Sequence, residues 1–211
     1  MKIIDITLPL SNQTPVWEGD KGITIDQIAF ITKGSDFNVS RAELGVHTGT
    51  HVDAPFHLDD LGYTVDKIPF NKLIGPVQVL HIDDSIKLIT EEVLVKSGLK
   101  KSTQRLLLKT RNSQYWVKYP HQFNREYTAL DSNAAAFLVR EGILFVGIDY
   151  FSISPFDDLI APHQILLKAG VVILENAYLV NVEPGLYNLL CLPLFLVGTD
   201  GAPVRAVLTT D

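Results

Sequence analysis

A chain of 211 residues, 46% hydrophobic and 20% charged, carries enough apolar surface to bury its own core, so one ordered domain over residues 1–211 is expected rather than a disordered chain. Its 24 acidic and 18 basic residues leave a net charge of −6, which offers no basic footprint for nucleic acid. A single cysteine, Cys191, excludes an intramolecular disulfide and fits a reducing, cytoplasmic setting; "MKIIDITLPL" lacks the apolar stretch of a secretory signal, and no apolar run nears the ~20 residues of a membrane span.

In chain order, "KIIDITLPL" reads as an opening strand and "NQTPVWEGD" as a loop broken by Pro15 and Gly19. "GITIDQIAFI" alternates its branched residues from Ile23 and Ile25 onward, the pattern of a second strand. "FNVSRAELGVHTGTHVD" runs strand-like into a group of histidines. "GPVQVLHID" and "RLLLKT" are short apolar runs between turn residues, which suits buried strands. "TEEVLVKSG" predicts a helix, with Thr90 as N-cap, acids in its first turn and Gly98 as terminator. "LDSNAAAFLVREG" repeats that logic, with Asp131 or Ser132 as the cap and Gly142 as the stop. "ILFVGID" is then a strand, "APHQILLKAG" a short helix closed by Gly170, and "VVILEN" a strand again. "GLYNLLCLPLFLVG", where Cys191 reads as inert packing, and "APVRAVLTT" finish the chain as strands. Eight or more strands with two or three helices give an α/β or mixed α+β fold, strand-rich with mixed sheets.

The stretch "HTGTHVDAPFH", residues 47–57, holds three of the six histidines and an aspartate. A helix there would have to absorb both Gly49 and Pro55, the proline alone at ~3 kcal/mol. An extended chain instead projects His47, His51, Asp53 and His57 to one side. A straight strand would still part His47 from His51 by ~13 Å at Cα, so the chain must bend between them. Gly49 tolerates the positive φ of such a bend, Thr50 can tie it to nearby backbone through its hydroxyl, and Pro55 stiffens the exit. Two imidazoles and a carboxylate suit a borderline divalent ion such as zinc, manganese or iron. His57 lies beyond the first three and is free to act as a proton carrier.

In "APHQILLKAGVVILEN" a helix followed by a returning strand can bring His163 and Glu175 together. Glu175 is the one acid between Asp158 and Glu183, and a carboxylate in an apolar strand requires a partner or a metal. Taken alone the two residues make a structural pair. With the first group they make five donors, too many for one catalytic zinc with an open position but suited to two ions bridged by carboxylates. His47, His51 and Asp53 by themselves would also permit an Fe(II) oxygenase or a metal-binding protein without catalysis. Elsewhere, His81 reads as a strand residue, His121 as a loop residue that lines a pocket or packs, and Asp200 and Arg205 as a structural or interface ion pair.

The same stretch resembles the H-x-G-T-H-x-D-x-P-x-H motif of the cyclase family that includes bacterial kynurenine formamidases. "DITLPL", "TPVWEGD", "REGILFVGID", "APHQILLKAGVVILEN" and "GTDGAPVRAVL" extend the likeness over nearly the whole chain. The resemblance implies a swivelling β/β/α fold, a homodimer or larger homo-oligomer, and hydrolysis of a small amide or lactam at two divalent metal ions, zinc or alternatively manganese. It places His47, His51 and Asp53 on one ion and His163 on the other, with Asp53 and Glu175 bridging. It makes His57 the proton donor and acceptor, and Trp17 a lining of the substrate pocket. Two features depart from the formamidases: Glu18 stands where they carry proline, and "YFSISPFDDLIAP" after Asp149 is unlike theirs. Both border the pocket, which leaves N-formyl-kynurenine, other aryl formamides and isatin-like lactams as competing substrates, with a cyclic amide or imide hydrolase or a true cyclase as the alternative to a formamidase.

Overall fold

Short apolar runs bounded by turn residues become strands in the computed structural model, which describes residues 1–210. The strands are β1 (Lys2–Asp5), β2 (Thr24–Ala29), β3 (Val39–Glu43), β4 (His51–Asp53), β5 (Ile74–His81), β6 (Leu88–Ile89), β7 (Arg105–Lys109), β8 (Ala129–Leu130), β9 (Phe145–Ile148), β10 (Val172–Glu175), β11 (Gly185–Pro193) and β12 (Gly201–Thr210). Between them lie α1 (Phe70–Leu73), α2 (Glu91–Lys96), α3 (Ser113–Lys118), α4 (Ser132–Arg140) and α5 (Ile160–Lys168). The fold is mixed α+β and strand-dominated, as expected.

The main sheet runs β12-β11-β5-β7-β9-β10-β4, and β4 pairs back onto β12, so the sheet closes into a barrel-like ring. β1 continues along the far half of β12 on the edge that β4 leaves open. β5, β7, β9 and β10 are parallel neighbours, while the remaining contacts of the ring are antiparallel. The parallel strands read as nearly unbroken apolar runs because both of their faces are covered. In β7, Leu107 points into the barrel with Val52, Leu174 and Cys191, whereas Leu106 and Leu108 pack against Leu138 of α4 and Leu166 of α5 on the outside. Cys191 is fully buried, and burial pushes its thiol up and away from the reactive thiolate. A third, aromatic core gathers Trp116, Tyr127, Tyr150 and Phe151 at one end of the molecule.

The helix signals hold at α2 and α4. Thr90 accepts the Val93 N–H at 3.4 Å, and Asp131, rather than Ser132, accepts the Ala134 N–H at 2.7 Å. The short elements α1, β6 and β8 were not expected, β11 stops at Pro193 rather than running on to Gly198, and two further departures have a clear physical reason. The segment from Phe37 to Asp53 is not one strand: β3 pairs only with β2, and the chain turns before β4 enters the barrel. α3 was not expected because its cap is not local. The buried Asp149 carboxylate accepts the N–H and hydroxyl of both Thr110 and Ser113, and so starts a helix from 36 residues away.

Replacing Asp131 with alanine should cost about 1 kcal/mol. That loss lowers the melting temperature by about 2–4 °C for a chain of this size, with activity retained, which a thermal melt beside an activity assay checks.

Candidate metal centre

Strand register assembles the centre of the site. β4 lies between β10 and β12, with Glu175 opposite His51 on one side and Gly201 opposite Asp53 on the other. Because side chains alternate along a strand, Val52 and Leu174 enter the barrel core, while His51, Asp53 and Glu175 face outward to where α5 packs. All three are buried, Asp53 to 1% exposure. His51 Nε2 lies 3.4 Å from Asp53 Oδ1 and 3.5 Å from Glu175 Oε2.

α5 contributes His163. Its Nδ1 donates to Leu159 O at 2.9 Å and also lies 2.5 Å from the Ser154 hydroxyl, which turns Nε2 toward the carboxylates, 2.9 Å from Glu175 Oε1 and 3.8 Å from Asp53 Oδ2. The helix-and-return expected of residues 163–175 therefore does bring these two residues together. Glu175 Oε1 additionally accepts the Ile153 N–H at 2.7 Å.

His47 reaches the same centre through the expected bend. Gly49 has φ +63°, a left-handed conformation that favours glycine. The bend is stapled to the loop after β10. The Thr50 hydroxyl donates to Asn176 O at 2.7 Å and accepts the Leu8 N–H at 2.8 Å, and Asn176 Nδ2 donates to Gly49 O at 3.0 Å. Gly49 O also accepts His51 Nδ1–H at 2.8 Å. That bond fixes the His51 tautomer and leaves the Nε2 lone pair directed at the centre, the orientation a metal-ligating imidazole needs.

His47 then bridges two carboxylates, with Nδ1 2.9 Å from Asp53 Oδ1 and Nε2 2.6 Å from Asp200 Oδ2. Burial works against charge on this ring, but Asp53 and Asp200 outweigh it and raise its pKa to about 10. Burial likewise opposes charge on Asp53, yet His47 and His51 hold its carboxyl well below the usual range. For His163 the opposing burial is overcome by Glu175 and Asp53, and its pKa is raised. His57, on the one-turn helix Pro55–His57, donates Nδ1–H to Asp200 Oδ2 at 3.1 Å, its ring centroid 4.2 Å from that of His47.

Sequence reading missed Asp200. It does not pair with Arg205, which bonds Asp5 instead with Nε at 2.9 Å from Oδ2. Asp200 immediately precedes β12, and closure of the barrel through β4 and β12 carries it to residues 153 positions away; no local signal encodes that. Gly201 makes the approach possible, since a Cβ there would meet His47 Cε1 at 2.8 Å. His81 sits 3.5 Å from Asp84 on the surface, and His121 donates Nδ1–H to Gln13 O at 3.1 Å; neither belongs to the centre.

Whether these residues suit a metal can be judged from the donors themselves. His51 Nε2 and Asp53 Oδ2 are buried and have no hydrogen-bond partner, and unpaired groups of this kind require an account. Two sets of donor atoms, His47/Asp53/His57 and His51/Asp53/Glu175, each lie within 4.8 Å of one another and share Asp53, with His163 beside the second. Imidazole lone pairs and carboxylates converging without a lysine or arginine fit a divalent ion. His57 falls within reach of the first set, close enough to bind as well as to carry protons. The donors form the floor of a pocket of about 400 Å³, whose walls include Trp17, Leu58, Phe151, Leu159 and Ile160.

The "Putative cyclase" family model matches residues 4–155. The chain belongs to this cyclase family. Among the relatives of this chain, the kynurenine formamidase of Bacillus cereus is 36% identical over 207 residues, which cover 97% of this chain and 96% of that protein. A solved structure described as a potential metal-dependent hydrolase with cyclase activity has 33% identity and a TM-score of 0.84, covering 98% and 96% of the two chains. An isatin hydrolase has the same TM-score at 20% identity, over 98% of this chain and 91% of that one, which shows a common fold. The family match ends before His163 and Glu175, whose place in the site rests on the geometry above.

Divalent ion should stabilise the folded chain by about 2.7 kcal/mol at a hundredfold excess over Kd. Zinc or manganese should therefore raise the melting temperature of the wild-type chain and leave that of Asp53→Ala unchanged; equal shifts in both would place the ion elsewhere.

Proposed function

We propose that this chain, a metal-dependent amide hydrolase of the cyclase family, cleaves the C–N bond of a small aryl amide, with residues 1–211 working as one catalytic unit. An aryl formamide such as N-formyl-kynurenine is the leading substrate. His47, His51 and Asp53 would hold one divalent ion and His163 a second, with Asp53 and Glu175 shared between them; zinc suits this imidazole and carboxylate set, with manganese as the alternative. The observation that carries the reading is the buried Asp53 carboxylate, approached by three imidazoles, with an oxygen that no protein donor satisfies. His163 and Glu175 extend the donors beyond the two histidines and one carboxylate of an Fe(II) oxygenase site.

When bound, divalent ions would supply an attacking water made acidic near neutral pH and would polarise the scissile carbonyl. The protein's own groups do the rest. Asp200 accepts Nδ1–H of His57, so that Nε2 is the atom that takes a proton and returns it to the leaving nitrogen. Trp17, Phe151, Leu159 and Ile160 form an apolar wall that accepts a planar ring and excludes bulk water. Across the reaction the acyl carbon gains a hydroxyl, the C–N bond breaks and the nitrogen leaves protonated. A homodimer or larger homo-oligomer would cover the exposed outward row Leu186, Leu190 and Leu192 on β11. The buried single thiol suits a cytoplasmic setting.

Metal-loaded protein should hydrolyse at least one of N-formyl-kynurenine, formanilide and an isatin-like lactam; inactivity on all three would remove the reading. His57→Ala should keep its metal by elemental analysis and lose about 10²–10⁴-fold in kcat. His47→Ala should instead lose metal.

A further inference from the structure

Two loops that share no backbone ladder meet at one side of the pocket, one supplying Trp17 to its wall and the other packing against that tryptophan. Residues 6–23 carry Trp17, and residues 119–128 carry Phe123 and Arg125. They are joined across more than a hundred residues of sequence. His121 donates to Gln13 O, and Arg125 grips both oxygens of Glu18, with Nε at 2.9 Å from Oε1 and Nη2 on Oε2. Trp17 stands edge-on to Phe123 with centroids 5.0 Å apart, and lies nearly parallel to Phe156 at 5.7 Å. The Arg125 guanidinium sits 4.7 Å over that same Phe156 ring. One arginine thus binds the residue next to Trp17 and the ring on which Trp17 stacks.

We infer that the Glu18–Arg125 pair is a positioning clamp that fixes Trp17 as a wall of the substrate pocket, and so favours substrates with a flat aromatic ring. Both side chains are largely exposed, and an exposed pair adds little to the stability of a whole chain. Its effect is local, on a wall residue carried by a long loop rather than by a strand or helix. A proline at position 18 would restrain the loop through its own ring; Glu18 restrains it through a partner on another loop, which makes the restraint sensitive to salt. The kinetic consequence rests on the amide hydrolase reading, whereas the placement of Trp17 does not.

The test uses the full-length, zinc-loaded chain with Arg125→Gln and Glu18→Gln. Of the two tryptophans, Trp116 is buried, so acrylamide quenching reports Trp17. Both variants should raise the quenching slope. Both should also raise KM for formanilide about three- to fivefold, the most that an exposed pair supplies, with kcat held within about twofold. The charge-swapped double variant Glu18→Arg with Arg125→Glu should move both readouts back toward wild type. Quenching unchanged in both single variants overturns the clamp, and raised quenching beside a wild-type KM overturns its role in substrate choice. If wild type turns over no amide while quenching rises as expected, the clamp stands and the hydrolase reading falls.

Discussion

The site depends on an unfavourable arrangement: three carboxylates, Asp53, Glu175 and Asp200, share a small volume, and two of them are almost wholly buried. Buried negative charge must be met by positive charge or by strong donors. Among the described residues the nearby cationic groups are imidazoles, and the field of the carboxylates raises the His47 pKa to about 10. A place that holds a proton so strongly is one where a divalent ion can take over the same neutralising role. The buried donor atoms left unpaired, His51 Nε2 and Asp53 Oδ2, mark where protein alone does not complete the balance.

That arrangement explains why the surrounding scaffold is so constrained. β4 is only three residues long yet is held on both edges, by β10 and β12. The Gly49 bend is fixed by hydrogen bonds from Thr50 and Asn176, and Gly201 clears the space His47 needs. The proposed ligand set, built on short strands inside a closed sheet, keeps its geometry with little reorganisation, which is what electrostatic catalysis requires. The substrate side is built on the opposite principle. Its walls come from loops, tied by side-chain contacts such as that between Glu18 and Arg125, so specificity can vary while the floor stays fixed.

Much of the floor was legible in the sequence. Period-two spacing in "HTGTHVDAPFH" placed His51 and Asp53 on one face, the distance between His47 and His51 demanded a bend, and glycine identified its position. Glu175 stood out as a lone acid in an apolar strand, and the helix before it supplied His163 as its partner. The caps at Thr90 and Asp131 were local signals and held as such. Tertiary contact overrode local pattern elsewhere, as when Asp149 capped α3 from a distant strand end.

The sequence by itself determined which side chains could serve as donors, where the chain had to bend and that strands would dominate, because these follow from residue chemistry and from spacings of a few positions. Only the tertiary structure decided that Asp200 joins His47 and His57, that Arg205 turns away to Asp5, and that Glu18 meets Arg125. Those contacts join residues more than a hundred positions apart. The Asp200 contacts exist because the sheet closes and brings β12 against β4, the Asp5 contact because β1 pairs with β12, and the Glu18 contact because two loops meet; no pattern within a single element carries that information.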